Sequence, residues 1–187
     1  MSKRNVILVG FMGTGKTTIG RELAKSMGRK FIDVDLELEK RFGMSVNEVF
    51  STQGEAAFRE GEELLALELA ATNNRVIATG GGTILNPKIF QAFRRSGTLI
   101  CLYTEKDDLI HRLQRTDKRP LLKGKSPEEV AEKVDELLDK REAVYRQVKI
   151  RIDTTNLTPI TAARRIQELL HTQQRVLSEL EQYIDLS

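Results

Sequence analysis

The stretch Val6-Ile7-Leu8-Val9-Gly10-Phe11-Met12-Gly13-Thr14-Gly15-Lys16-Thr17 decides how the rest of the chain is read. Four apolar residues, three of them β-branched, end in a glycine and predict a buried strand of a parallel sheet. Gly10 to Thr17 then fit the pattern G-x-x-x-x-G-K-[ST]. Glycines let such a loop turn tightly and aim several N–H groups at one anion. A helix predicted from about Lys16 to Met27, with Gly28 as its stop, adds the positive end of its dipole. Lys16 places a cation between β- and γ-phosphates, and Thr17 offers a hydroxyl to Mg²⁺. Gly13, Thr14, Gly15, Lys16, Thr17 and Thr18 are therefore the expected nucleotide-binding residues. A glycine turn without a nucleotide is the plainer alternative. The position of the loop between a predicted strand and a predicted helix is the context that argues against it.

Working outward, the pattern keeps alternating. Phe31–Asp35, Arg75–Thr79, Thr98–Tyr103 and Lys149–Asp153 read as further strands. Helical stretches fall at Leu36–Phe42, Val46–Phe50, Glu55–Ala71, Pro87–Arg95 and Asp107–Arg115, and from Ser126 to about Val148. Ser126-Pro127-Glu128-Glu129 is a strong start, with an N-cap, a proline and first-turn acids. Thr158-Pro159 opens a last helix with a possible break near Thr172. Strands alternating with helices imply an α/β fold with a parallel sheet. A single domain over residues 1–171 is expected, followed by a helical tail at 172–187. The apolar positions of that tail (Val176, Leu177, Leu180, Tyr183, Ile184) suggest packing on its own domain more than on a partner.

Composition narrows the class. The 187 residues suit one domain with a real core. A net charge of +3 with interleaved signs, few aromatics and no Trp argues against nucleic-acid binding. One cysteine, Cys101, excludes an internal disulfide, and its apolar run predicts a buried thiol. With two histidines a zinc site lacks ligands. No segment approaches the ~20 apolar residues of a membrane span, and Val6–Val9 is too short for a signal peptide. A cytoplasmic enzyme is expected.

Asp33 and Asp35 stand two apart on the predicted second strand and so are expected on one face, at the ligand-binding end of the sheet. Asp35 as a simple cap of the next helix is the alternative. Because the third strand ends without an acid, Asp33 is the better candidate for holding Mg²⁺, directly or through water. Asp35 is then available to orient the attacking hydroxyl or act as general base. Gly80-Gly81-Gly82, after a buried strand, suggest close approach of a ligand to the backbone. Arg59, Arg119 and Arg141 sit far apart, and spacing alone does not bring them together. The basic stretch Thr116–Lys125 reads as a lid, or as an ordinary surface loop.

Together Gly10–Thr17, Phe31-Ile32-Asp33-Val34-Asp35, Phe58-Arg59-Glu60, Thr79-Gly80-Gly81-Gly82, Arg119-Pro120-Leu121-Leu122 and the stretch from Arg141-Glu142 to Tyr145-Arg146 closely resemble one family. It is shikimate kinase, of the nucleoside-monophosphate-kinase-like group, over about residues 5–171. The resemblance implies a P-loop three-layer fold, with a five-stranded parallel sheet in the order 2-3-1-4-5 flanked by helices, and a lid. It implies transfer of a phosphoryl group from ATP, with Mg²⁺, to the 3-hydroxyl of shikimate, on the way to chorismate and the aromatic amino acids. By the same resemblance Asp35, Arg59, Gly81 and Arg141 look like the shikimate site. Lys16, Asp35 and Arg119 look like the catalytic set, with Arg119 the lid arginine that reaches the phosphates. Arg115 looks like the residue that stacks on adenine, and Asp153-Thr154-Thr155 like the other side of that pocket. Shikimate and ATP are the implied partners of a monomer, with no nucleic acid and no membrane. A kinase for another small hydroxy acid such as gluconate, a nucleoside monophosphate kinase, and a non-catalytic nucleotide switch are the other readings.

Overall fold

The computed structural model describes residues 3–114 and 126–185 of the chain. Five parallel strands lie in the order β2-β3-β1-β4-β5. They are β1 (Asn5–Val9), β2 (Lys30–Asp33), β3 (Arg75–Ala78), β4 (Gly97–Tyr103) and β5 (Ile150–Asp153). The helices among the described residues are α1 (Lys16–Met27), α2 (Val34–Phe42), α3 (Val46–Thr52), α4 (Gly54–Ala70), α5 (Pro87–Ser96), α6 (Lys106–Gln114), α7 (Pro127–Tyr145) and α8 (Pro159–Asp185). The expected α/β architecture and strand order are observed.

β1 is central because it can be buried on both sides. Its side chains alternate with the period of two that a strand imposes. Val6 and Leu8 pack with Ile19 and Leu23 of α1 and Ala162 and Ile166 of α8. Ile7 and Val9 face the opposite layer, with Leu65 of α4, Phe93 of α5 and Val134 of α7. The strand begins one residue earlier than its apolar run. Asn5 is fully buried, and its side chain donates to Thr72 O (2.6 Å) and accepts from Arg75 N (3.0 Å). That polar clip joins the end of α4 to the start of β3 and satisfies a group that would otherwise be costly to bury. Cys101, on β4 beside Val9, is buried as expected, and burial pushes its thiol up to about 11 against the opposing charges of Arg151 and Lys16.

Several boundaries differ from the sequence expectation by a residue or a few. β2 stops at Asp33, and Val34 already belongs to α2. α7 ends at Tyr145, short of Val148. α8 runs through Thr172–Gln174 without a break, so the tail continues a helix of the domain. The proposed lid at about 116–125 lies outside the described residues, and so do Arg115 and Arg119. No helix among the described residues is long and apolar enough to cross a membrane.

Candidate active site

At the carboxyl end of β1 the backbone turns through Gly10, whose φ of +133° suits glycine. A Cβ there would fall 2.2 Å from Leu102 O, so β4 also excludes any side chain. The loop folds on itself: Thr14 Oγ1 donates to Phe11 O at 2.8 Å. Lys16, almost fully buried, donates to Gly10 O and Phe11 O at 2.8 Å each. Its ammonium is thus parked against the loop that a phosphate would occupy, poised to exchange carbonyls for an anion. The helix start at Gly15 presents N–H groups to the same space.

Thr17 and Asp33 meet here. Thr17 Oγ1 donates to Asp33 Oδ2 at 2.6 Å, while Asp33 Oδ1 accepts from Leu36 N at 3.3 Å. Asp33 is therefore the cap of α2, the role considered for Asp35, and it also reaches the phosphate loop. Asp35 lies in the first turn of that helix. The expectation that the two acids share a strand face is therefore incorrect. They are neighbours because one ends a strand and the other starts a helix, and both still line one cavity of about 210 Å³. Gly13, Gly15, Lys16, Thr17, Thr18, Thr79, Gly81 and Arg112 complete its wall.

The triple glycine organises the other half of the site. A Cβ at Gly80 would fall 2.6 Å from Asp35 Oδ1; at Gly81, 3.0 Å from Arg141 Nη1; at Gly82, 3.4 Å from both terminal nitrogens of Arg59. Each glycine thus lets one candidate site side chain approach the backbone. Two of the three arginines that the sequence left scattered are brought together here.

Their supports were not anticipated. Arg59 donates to Glu62 Oε2 at 2.7 Å and to Glu55 Oε1 at 3.1 Å. Glu62 is 2% exposed, and its other oxygen accepts from Thr83 Oγ1 at 2.6 Å. Burial works to lower the Arg59 guanidinium, but Glu62 and Glu55 outweigh it and hold the group above its ordinary value. Arg141, 7% exposed, lies over the Phe11 ring at 5.4 Å. One turn on, Tyr145 donates to Gly81 O at 2.5 Å, and burial pushes its phenol upward against the opposing charge of Arg141. The signals were there as helical spacings, i,i+3 for Arg59 and Glu62 and i,i+4 for Arg141 and Tyr145. Only the fold shows which of many such pairs turns inward.

Comparison with known proteins identifies the family. The family model described as shikimate kinase matches residues 12–172. A shikimate kinase of Thermodesulfovibrio yellowstonii is 40% identical over 163 residues, 87% of this chain and 92% of the relative. One from Caldanaerobacter subterraneus is 40% identical over 155 residues, 83% of this chain and 89% of its own. The structure of shikimate kinase from Acinetobacter baumannii in complex with shikimate superposes with a TM-score of 0.85 at 35% identity, covering 92% of this chain and 95% of that one. This chain belongs to the shikimate kinase family.

Proposed function

We propose that this protein transfers the γ-phosphoryl group of ATP to the 3-hydroxyl of shikimate, a step of aromatic biosynthesis. The observation that carries the reading is the triple glycine, which gathers Asp35, Arg141 and Arg59 beside the phosphate loop. Shikimate carries one carboxylate and several hydroxyls. Two guanidiniums bind a carboxylate through paired, charge-assisted hydrogen bonds. Arg59 and Arg141 supply them, and Gly81 presents its backbone N–H at close range. Asp35 accepts a hydrogen bond from the reacting hydroxyl and directs its oxygen at the γ-phosphorus. As the new O–P bond forms, the bond to the β-phosphate oxygen breaks and ADP leaves; the hydroxyl proton passes to Asp35 or to solvent. Lys16 balances charge on the γ-phosphoryl, aided by Arg119 in the role its motif implies. Holding the two reactants in line is the larger share of the rate gain.

The hydroxyl of Thr17 and the carboxylate of Asp33, 2.6 Å apart, fit Mg²⁺, which takes few protein oxygens and keeps water and phosphate oxygens. When bound, the ion would neutralise β- and γ-phosphate charge. Gly13, Thr14, Gly15 and Thr18 hold the phosphates, and Arg115 the adenine. We further infer a cytoplasmic monomer acting on these two small molecules, with no nucleic-acid or membrane partner, which the mixed surface charge supports.

A coupled assay of ADP release with MgATP and shikimate, gluconate or no acceptor tests the reading. Turnover that requires shikimate and is absent with gluconate is expected. Equal ADP release with all three would overturn it.

A further inference from the structure

β5 starts late, and that leaves a notch at the amino end of the sheet. β4 pairs with β1 from Gly97 onward, but with β5 only from Ile100. Gly97, Thr98 and Leu99 therefore have a strand on one side and, among the described residues, none on the other. An open strand edge of this kind presents backbone donors and acceptors. A cavity of about 370 Å³ occupies the gap, a size that holds a small molecule. The length of β1 separates it from the phosphate loop, a span of about 15 Å.

The lining has two characters. Phe90 and Val148, both buried, and Leu99 and Ile150, both half-buried, make an apolar wall. Arg4, Arg94 and Lys149 make a cationic rim, and no acidic side chain among the described residues joins them. Arg4 is anchored at one nitrogen, which donates to Arg95 O at 3.0 Å. Arg94 and Lys149 make no hydrogen bond or ion pair among the described residues. Arg94 stands in the last turn of α5, where a cation answers the negative end of the helix dipole. That account does not extend to Lys149, which directly precedes β5 and lies on no helix. Nor does it explain why two cations from separate elements line one recess with an apolar wall.

We propose that this notch is a second ligand site, distinct from the phosphate loop, for a small organic anion. Its charged head meets Arg94, Lys149 and Arg4, and its apolar body lies against the wall of Phe90, Leu99, Val148 and Ile150. The inference does not rest on the kinase reading. Phenyl phosphate is the probe, titrated into the full chain and followed by amide NMR, with MgADP and shikimate in excess to fill the phosphate loop and the residues around Asp35. Saturable shifts at Thr98, Leu99 and Lys149 are expected, with a dissociation constant of about 1 mM. Inorganic phosphate, which lacks the body, and benzyl alcohol, which lacks the charge, should each bind at least about fivefold more weakly. Arg94→Gln and Lys149→Gln should each weaken phenyl phosphate about five- to tenfold, the scale of one charge-assisted hydrogen bond on an accessible group. Turnover without the probe and the melting temperature should stay at their wild-type values in both variants. Absence of saturable shifts at these amides overturns the proposal. So does an affinity unchanged in both variants, which leaves Arg94 to the helix dipole alone, or equal binding of phenyl phosphate, inorganic phosphate and benzyl alcohol. Should shikimate itself not bind, the acceptor reading fails and the comparison of variants still decides this one.

Discussion

Arg59→Ala should cost the protein stability as well as substrate, because it strands a buried carboxylate. Glu62 is 2% exposed and, among the described residues, keeps only the Thr83 hydroxyl once the guanidinium is gone. Breaking a fully buried ion pair by removing one partner costs about 3–5 kcal/mol. The Arg59 side chain is 40% exposed, so screening and entering water reduce this to about 2 kcal/mol. For a chain of this length that is a fall in melting temperature of about 4–8 °C. Glu62→Gln alone keeps the shape and the Thr83 bond and gives up charge, at about 1 kcal/mol. Independent effects would add to about 3 kcal/mol in the double variant. The geometry demands otherwise: with no charge left to strand, Arg59→Ala/Glu62→Gln should be more stable than Arg59→Ala, by about 1 kcal/mol. All three variants should raise the KM for shikimate, Arg59→Ala by about 10- to 30-fold and Glu62→Gln by less, with ADP affinity intact. Circular-dichroism melts and the coupled assay read both quantities. A double variant that melts below Arg59→Ala would refute the reasoning, since Glu62 would then stabilise the fold by itself and not through Arg59.

Gly81→Ala puts a methyl 3.0 Å from Arg141 Nη1 and 3.4 Å from the Met12 backbone nitrogen. A shikimate KM raised about tenfold, with little change in that for ATP, is expected from steady-state kinetics, the cost of displacing one hydrogen-bonded contact. Asp35→Asn should lower kcat by about 10²- to 10⁴-fold, the usual worth of a positioned acid–base group, while calorimetry still finds ADP bound. Raising the pH should weaken the fold. The thiol of Cys101 titrates ordinarily at 9.0 and is held up to about 11 by burial, so its contribution is whole below about pH 9 and lost as pH climbs to about 11. Tyr145, shifted in the same direction by burial, adds to that loss. Urea midpoints between pH 8 and 10.5 should therefore fall, and less steeply in Cys101→Ala; an unchanged slope in that variant would remove the thiol from the explanation.

How far the sequence reached depended on whether a function is local in the chain. The phosphate loop is local: eight consecutive residues carry the turn, the cation and the hydroxyl, so Gly10 to Thr17 could be read directly. The strand order came with the family resemblance, and the unbroken apolar run Val6-Ile7-Leu8-Val9 already announced a buried strand of a parallel sheet. Asp33 and Asp35 were found as a pair on incorrect grounds. A two-residue spacing means a shared face only while the backbone stays extended, and the N-cap hydrogen bond of Asp33 to Leu36 ends the strand one residue too soon for that. Glu62 was missed for a different reason. Charged residues on helices are ordinarily solvated, and nothing in composition separates the glutamate that turns inward from its neighbours at 55, 60 and 63.

The same contrast explains why the proposed acceptor side is built from so many segments while the phosphate side is built from one. An anion can be held by main-chain N–H groups, which any sequence supplies if glycines let them converge. A carboxylate on a hydroxylated ring needs directional side chains, and those must come from wherever the fold can aim them: Asp35 from α2, Arg59 from α4, Arg141 from α7. What these three share is a target, the bare backbone from Gly80 to Gly82, where a missing Cβ admits each of them. The triple glycine is thus less a flexible hinge than a fixed surface against which side chains from three helices are set. Its rigidity follows from its own anchors, Thr79 bonded to Leu8 O on β1 and Gly81 O bonded to Tyr145 on α7. If that is the right account, Tyr145→Phe should loosen the acceptor side alone, raising the KM for shikimate several-fold while ADP affinity stays at the wild-type value. A comparable rise in both constants would mean that the hydrogen bond holds the fold and not the acceptor site.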